Sequence, residues 1–139
     1  MATYRSNVFR VTLRYPATWK ANVKYTGREQ DPRYEGDDGF LMVDAMGAPS
    51  DWSPDQAAEA LVSHKLKPYG AEPDIIAVRV DGQEARLIIP REEKIRDAAL
   101  VARYSEPLKA SGYNFLLLVA DRAHIEQIAT TMQFLPPTQ

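Results

Sequence analysis

The side chains in this sequence best suited to acid–base chemistry are Asp121 and His124, three residues apart. A carboxylate at that spacing can orient an imidazole and let it exchange a proton with a substrate. The same aspartate stands where a helix N-cap is needed, ahead of the apolar spacing Ile125, Ile128, Ala129 and Met132. A short carboxylate there satisfies free backbone N–H groups. His124 then falls at the third helical position, beside N–H groups that disfavour an imidazolium. We therefore read Asp121 as a cap first and the pair as an acid–base site second.

The other histidine, His64, lies roughly 130° from the centre of the apolar stripe of its helix, at about 100° per residue. That is a solvent-facing position. Asp31, Glu35, Asp37 and Asp38 gather in one stretch with Tyr34. Oxygen-rich loops bind calcium, but the spacing does not follow Asp-x-Asp-x-Asp-Gly, so a solvated loop is expected. Gly36 and Gly39 are not followed by Gly-Lys-Ser/Thr and make no phosphate cradle. The chain has no cysteine, which removes disulfides, thiolate catalysis and thiolate metal sites together. Two histidines without ligand spacing do not suggest zinc. No metal, cofactor or catalytic set is expected.

Five residues remain as candidate partner or ligand contacts: Trp52, Tyr34, Arg79, Arg86 and His124. Loop tryptophans often anchor partners. Trp52, however, directly precedes the cap Ser53, where a hydrophobic staple would press it on Ala57. Arg79, Glu84 and Arg86 share one sheet face, as an anion site or, more simply, a cross-strand ion-pair cluster.

The elements that must hold these residues read as follows. Residues 8 to 15 alternate, with Phe9, Val11, Leu13 and Tyr15 on one face, a half-buried strand. Pro16 ends it, and Tyr15 and Trp19 read as core residues of the corner. A second strand carries Ala21, Val23 and Tyr25 to Gly27; residues 28 to 38 read as a long exposed loop; a third strand covers about Gly39 to Met46. Ser53, Pro54, Asp55 and Gln56 form a complete helix start with a capping box. Ala58, Leu61, Val62 and Leu66 follow as its buried stripe, ended by Pro68 and Gly70.

Residues 74 to 80 and 83 to 90 flank Asp81-Gly82, a two-residue hairpin signal. That loop fixes Val80 opposite Gln83, Arg79 opposite Glu84, Val78 opposite Ala85 and Ile76 opposite Leu87. A sixth strand from about Ala98 to Tyr104 leads to a seventh, Tyr113 to Ala120. The seventh is apolar on both faces, as a central strand is. Asp121 opens the last helix, and Pro136-Pro137 forbid its continuation. The order is β-β-β-α-β-β-β-β-α, and 1–139 reads as a single domain.

Composition agrees with that size. At 139 residues and 45% hydrophobic content the chain can bury one core. Seventeen basic against 19 acidic residues provide no basic stripe for nucleic acid. The longest apolar run, Phe115 to Ala120, is too short to span a bilayer. No signal peptide is visible, so the chain as written is expected in the cytoplasm, or outside it if cut from a longer secreted or lipid-anchored protein.

An N-terminal amphipathic strand followed by Tyr15-Pro16-x-x-Trp19 resembles the PsbP-like family. So does a helix crossing to a Gly-turned hairpin, and a late hydrophobic strand running into a C-terminal helix. Gly82-Gln83-Glu84-Ala85-Arg86 and Ala120-Asp121-Arg122-Ala123-His124-Ile125 also look like its bacterial members. The resemblance implies an α+β fold, an α/β/α sandwich with a central, mostly antiparallel sheet of about seven strands flanked by helices. It also implies a non-catalytic accessory role with another protein as partner. The alternatives are a small-ligand carrier, with a pocket between sheet and helix lined by apolar residues and Arg86, and a hydrolase-like enzyme using Asp121 and His124.

Overall fold

The computed structural model describes residues 1–26 and 32–136. Part of the acidic stretch, including Asp31, lies outside them. Seven strands form one wholly antiparallel sheet: β3 (Lys20–Thr26), β4 (Pro32–Gly36), β5 (Gly39–Met46), β9 (Phe115–Asp121), β8 (Asp97–Arg103), β7 (Gln83–Ile89) and β6 (Asp74–Val80), in that spatial order. A second antiparallel sheet joins β1 (Ala2–Ser6), β2 (Val11–Tyr15) and β10 (Gln133–Phe134). Helix α1 spans Pro54–Val62 and α2 spans Ile125–Thr130. The fold is α+β with a mostly antiparallel sheet.

Alternation along the central strands divides the core. On β8, Ala98, Leu100 and Ala102 face a cluster that includes α2 and β2, whereas Ala99 and Val101 face the one built on α1. The large sheet thus carries α1 on one face and α2 with the small sheet on the other. β9 is the fourth of seven strands and buries Phe115 on the α1 side, Leu116 and Leu118 on the other. Its two-sided apolar character has that cause.

The β6–β7 hairpin has the expected register throughout, Arg79 opposite Glu84 included. Asp81 and Gly82 both adopt positive φ, 48° and 81°, as a type I′ turn requires. The capping box of α1 is present in both directions: Gln56 N–H donates to Ser53 Oγ, and Ser53 N–H to Gln56 Oε1. Trp52 is half-buried against the cluster that contains Ala57.

The structure corrects the sequence reading in four places. The N-terminus is a strand, β1, whose Tyr4 and Ser6 are buried. The supposed long loop contains β4, held between β3 and β5. Helix α1 stops at Ser63, leaving Leu66 81% exposed and outside any buried stripe. Asp121 caps nothing. It ends β9, and the N-cap of α2 is His124, which makes no side-chain cap bond. The reason lies in the register: β5 pairs β9 only as far as Leu41–Ala120. The next donor, the Phe40 N–H, has run past the carbonyl ladder and takes the Asp121 carboxylate instead, at 3.1 Å.

Candidate functional site

His124 sits in a cluster assembled from four parts of the chain. Its Nδ1 lies 2.6 Å from Asp121 Oδ2, and its Nε2 3.7 Å from Asp38 Oδ2. An ionised carboxylate can only accept, so the shorter contact places the ring proton on Nδ1. Asp38 comes from the turn between β4 and β5, and its Oδ1 accepts from Trp19 Nε1 at 2.8 Å. Trp19 is buried and meets the imidazole edge-on, with ring centroids 5.1 Å apart. The Tyr-Pro-x-x-Trp corner sets it there, closed by Trp19 N–H donating to the Pro16 carbonyl.

Gly36 and Gly39 flank that turn and make the approach possible. A Cβ on Gly36 would stand 2.5 Å from Trp19 Cδ1; one on Gly39 would stand 2.3 Å from Asp121 Oδ1 and 2.6 Å from Trp19 Cζ2. Either contact is well inside van der Waals distance.

In this cluster Asp121 Oδ1 is engaged by Phe40, Asp121 Oδ2 by His124 and Asp38 Oδ1 by Trp19. Most of its polar capacity therefore ties β5, β9, the Trp19 corner and the start of α2 together. Among the described residues, no group of three or more His, Asp or Glu side chains is placed to hold a metal ion.

The Trp19 N–H bond, followed by a hydrogen bond from Asp38's own backbone, holds the Asp38 carboxyl below its ordinary value. A carboxyl lowered in the folded state adds stability above its unfolded pKa, and that increment disappears as pH falls through the folded one. Trp19→Phe is therefore expected to raise the Asp38 pKa toward the usual carboxylate range, read by NMR titration of its carboxyl carbon. An unchanged titration would show that the indole bond does not set it.

The other sequence-nominated residues are spread over the molecule. Tyr34 is on β4, half-buried, its ring 5.0 Å from Tyr15 and 5.8 Å from Tyr4; it packs rather than projecting from a loop. The Trp52 carbonyl accepts from the Arg103 guanidinium. Arg86 bonds Asp55 in the first turn of α1 at 2.6 Å, which pulls the Asp55 carboxyl down. Arg79 donates to the Gly82 carbonyl at 3.1 Å, and it shares a shallow depression with Glu84 and Arg86. His64 is exposed, on the turn after α1.

A groove that the residue types alone did not locate lies between the β6 end of the large sheet and α2. Its volume is about 270 Å3. Val80, Leu87, Leu100 and Ala129 line it with Ile76 and Val78. Arg79, Glu126 and Thr130, all exposed residues, complete the lining. Arg86, expected in a pocket between sheet and helix, is not among them. The alternation Ile76, Val78, Val80 was the available signal; what hid the groove is that α2 stops short of the sheet edge.

β6 is itself an end strand, bonded among the described residues only to β7. Of its seven residues Ile75, Ile76, Val78 and Val80 are β-branched, and Ile76 is 41% exposed. An uncovered edge of that composition is a template for a further strand. No described helix is long and apolar enough to cross a membrane.

These features define the molecule by class, as an α+β domain in which one end strand of the large sheet, β6, lies beside an apolar groove. No known family model matches the chain, and no curated protein matches it.

Proposed function

We propose that this domain is a non-enzymatic binding module acting through protein contacts, and that β6 with its adjoining groove is the contact surface. The supporting observation is the coincidence of an unpaired, β-branched strand edge with an apolar groove on the same rim of the sheet. An added strand gains affinity from main-chain hydrogen bonds and selectivity from alternate side chains entering a pocket. The layering, with α1 on one face and α2 on the other, fits the PsbP-like resemblance, and an accessory role is what that resemblance implies. The groove also supports a second reading, a carrier of a small apolar ligand.

Selection of displayed peptides on the purified domain tests the proposal. Extended sequences with alternating apolar residues should be recovered. They should slow amide exchange at Ile75, Ala77 and Arg79, and Ile76→Lys should weaken them at least tenfold. Peptides that perturb only the His124 cluster would refute the surface. A small apolar molecule that binds the groove without protecting those amides would favour the carrier.

A further inference from the structure

Resting on that reading, we infer that the strand received by β6 is β6 of a second copy of this chain, paired antiparallel about a twofold axis through Ala77. The hairpin geometry fixes which backbone groups are free. Residues flanking a two-residue turn bond each other, and inward and outward bonding then alternate along an antiparallel strand. Val80 opposes Gln83 across Asp81-Gly82. Val80, Val78, Ile76 and Asp74 therefore turn their N–H and C=O groups toward β7, while Ile75, Ala77 and Arg79 turn theirs outward.

Those three outward residues are symmetric about Ala77. A twofold axis perpendicular to the sheet sets Ala77 against Ala77 of the second copy, and Ile75 against Arg79. Every outward N–H then meets an outward C=O. Sliding the axis by one pleat toward Ile75 brings Arg79 against Pro73, which has no N–H. Sliding it the other way brings Ile75 against the turn residue Asp81. Only the Ala77-centred register uses all three outward residues.

The side chains agree with that register. It sets Ile76 against Val78 of the second copy on the groove face, at positions whose backbones do not bond across the new pair. Such pairs bring side chains closest. Ile76 is exposed in the single chain, and Val78 packs only partly against the core. Two isoleucines and two valines would form one apolar stripe across the junction, continuous with both grooves. The one charged side chain among the outward residues, Arg79, faces Ile75 rather than its own copy, so no like charges meet.

Sedimentation of the full chain over micromolar to millimolar concentrations tests this. The expected result is a concentration-dependent doubling of mass, with slowed amide exchange at Ile75, Ala77 and Arg79 in the dimer. Ala77→Pro removes an outward N–H and leaves the β6–β7 bonds in place, which edge strands tolerate. Ile76→Lys charges the stripe. Both should stay monomeric at every concentration with an unchanged far-UV spectrum. Should Ala77→Pro unfold, Ile76→Lys and the amide pattern still decide the matter. A wild-type chain that remains monomeric, or a dimer that survives Ile76→Lys, overturns the inference. If the chain is monomeric yet selected peptides protect the same three amides, the second copy is refuted and the binding surface stands. Peptides that avoid β6 would refute the surface as well.

Discussion

A chain ending at Ala120 is expected to be unfolded or aggregated at room temperature. The deleted segment carries α2, which packs on β8 and β9 of the large sheet and on β2. Ile125, Ile128 and Met132 are at most 3% exposed, and burial of each large apolar side chain stabilises by about 1.5–3 kcal/mol. The deletion also removes β10, which pairs with β2 at Thr12 and Val11, and the Thr131 hydroxyl that accepts from the Arg14 N–H. Asp121 goes too, leaving the Phe40 N–H without its acceptor. Against a total stability of about 5–15 kcal/mol for ordinary domains, the sum is disabling. Circular dichroism during a thermal ramp provides the readout. A cooperative transition near that of the parent chain would mean that α2 is not part of the core. Ile128→Ala is the milder form, expected to cost about 2–5 kcal/mol with the fold retained.

How far the sequence foretold this fold varies with how local the causes are. The β6–β7 hairpin was legible to the residue pair because turn chemistry and side-chain alternation lie within one short segment and agree. The start of α1 was legible for the same reason. Strand β4, Pro-Arg-Tyr-Glu-Gly, has no apolar alternation, and its pairing comes from β3 and β5 on either side. Strand β1 is similar: it forms by pairing with β2, and its Tyr4 ring packs edge-on against Tyr34 of the large sheet. Leu66 fits the spacing of α1, but the helix ends at Ser63, and periodicity carries no information about where a helix is released. The architecture showed the same limit. Residues 8 to 15 read as a half-buried strand, but nothing in their alternation tells that β2 belongs to a second, three-stranded sheet.

The candidate sites divide along the same line. Spacing alone suggested Asp121 with His124, and the two are in contact. Asp38 and Trp19 join them from more than 80 residues away, which no local pattern can show. Gly36 and Gly39 were weighed only as a phosphate cradle, whereas their missing side chains make room for an indole and a carboxylate. The exposed edge was hidden differently. Each strand of the hairpin was visible, but which of them ends the sheet depends on β8 choosing β7.

The Asp121 cluster yields the last prediction, because its members can be removed one at a time. Asp121→Ala is expected to destabilise the domain by about 1–3 kcal/mol, the usual cost of leaving a buried donor without a partner. Here that donor is the Phe40 N–H, at a fully buried point where β5 outruns its pairing with β9. Asp121→Asn should recover most of the loss, since an amide oxygen can still accept from Phe40. Its NH2 group would then face Nδ1, which must give up its proton and shift the ring to the Nε2–H tautomer. That tautomer turns an N–H toward Asp38, and the change is visible in the imidazole nitrogen shifts. His124→Ala should cost less than Asp121→Ala, because the imidazole is partly exposed and its loss leaves the Phe40 bond intact. Urea unfolding of the three variants and of the double alanine gives the coupling between the two residues, expected within about 0.5–3 kcal/mol. If His124→Ala proved as costly as Asp121→Ala, the carboxylate–imidazole contact rather than the Phe40 bond would be what fastens this corner. If Asp121→Ala were neutral, the strand end at Phe40 would have to find another acceptor, and the account of why Asp121 leaves its cap position would fail.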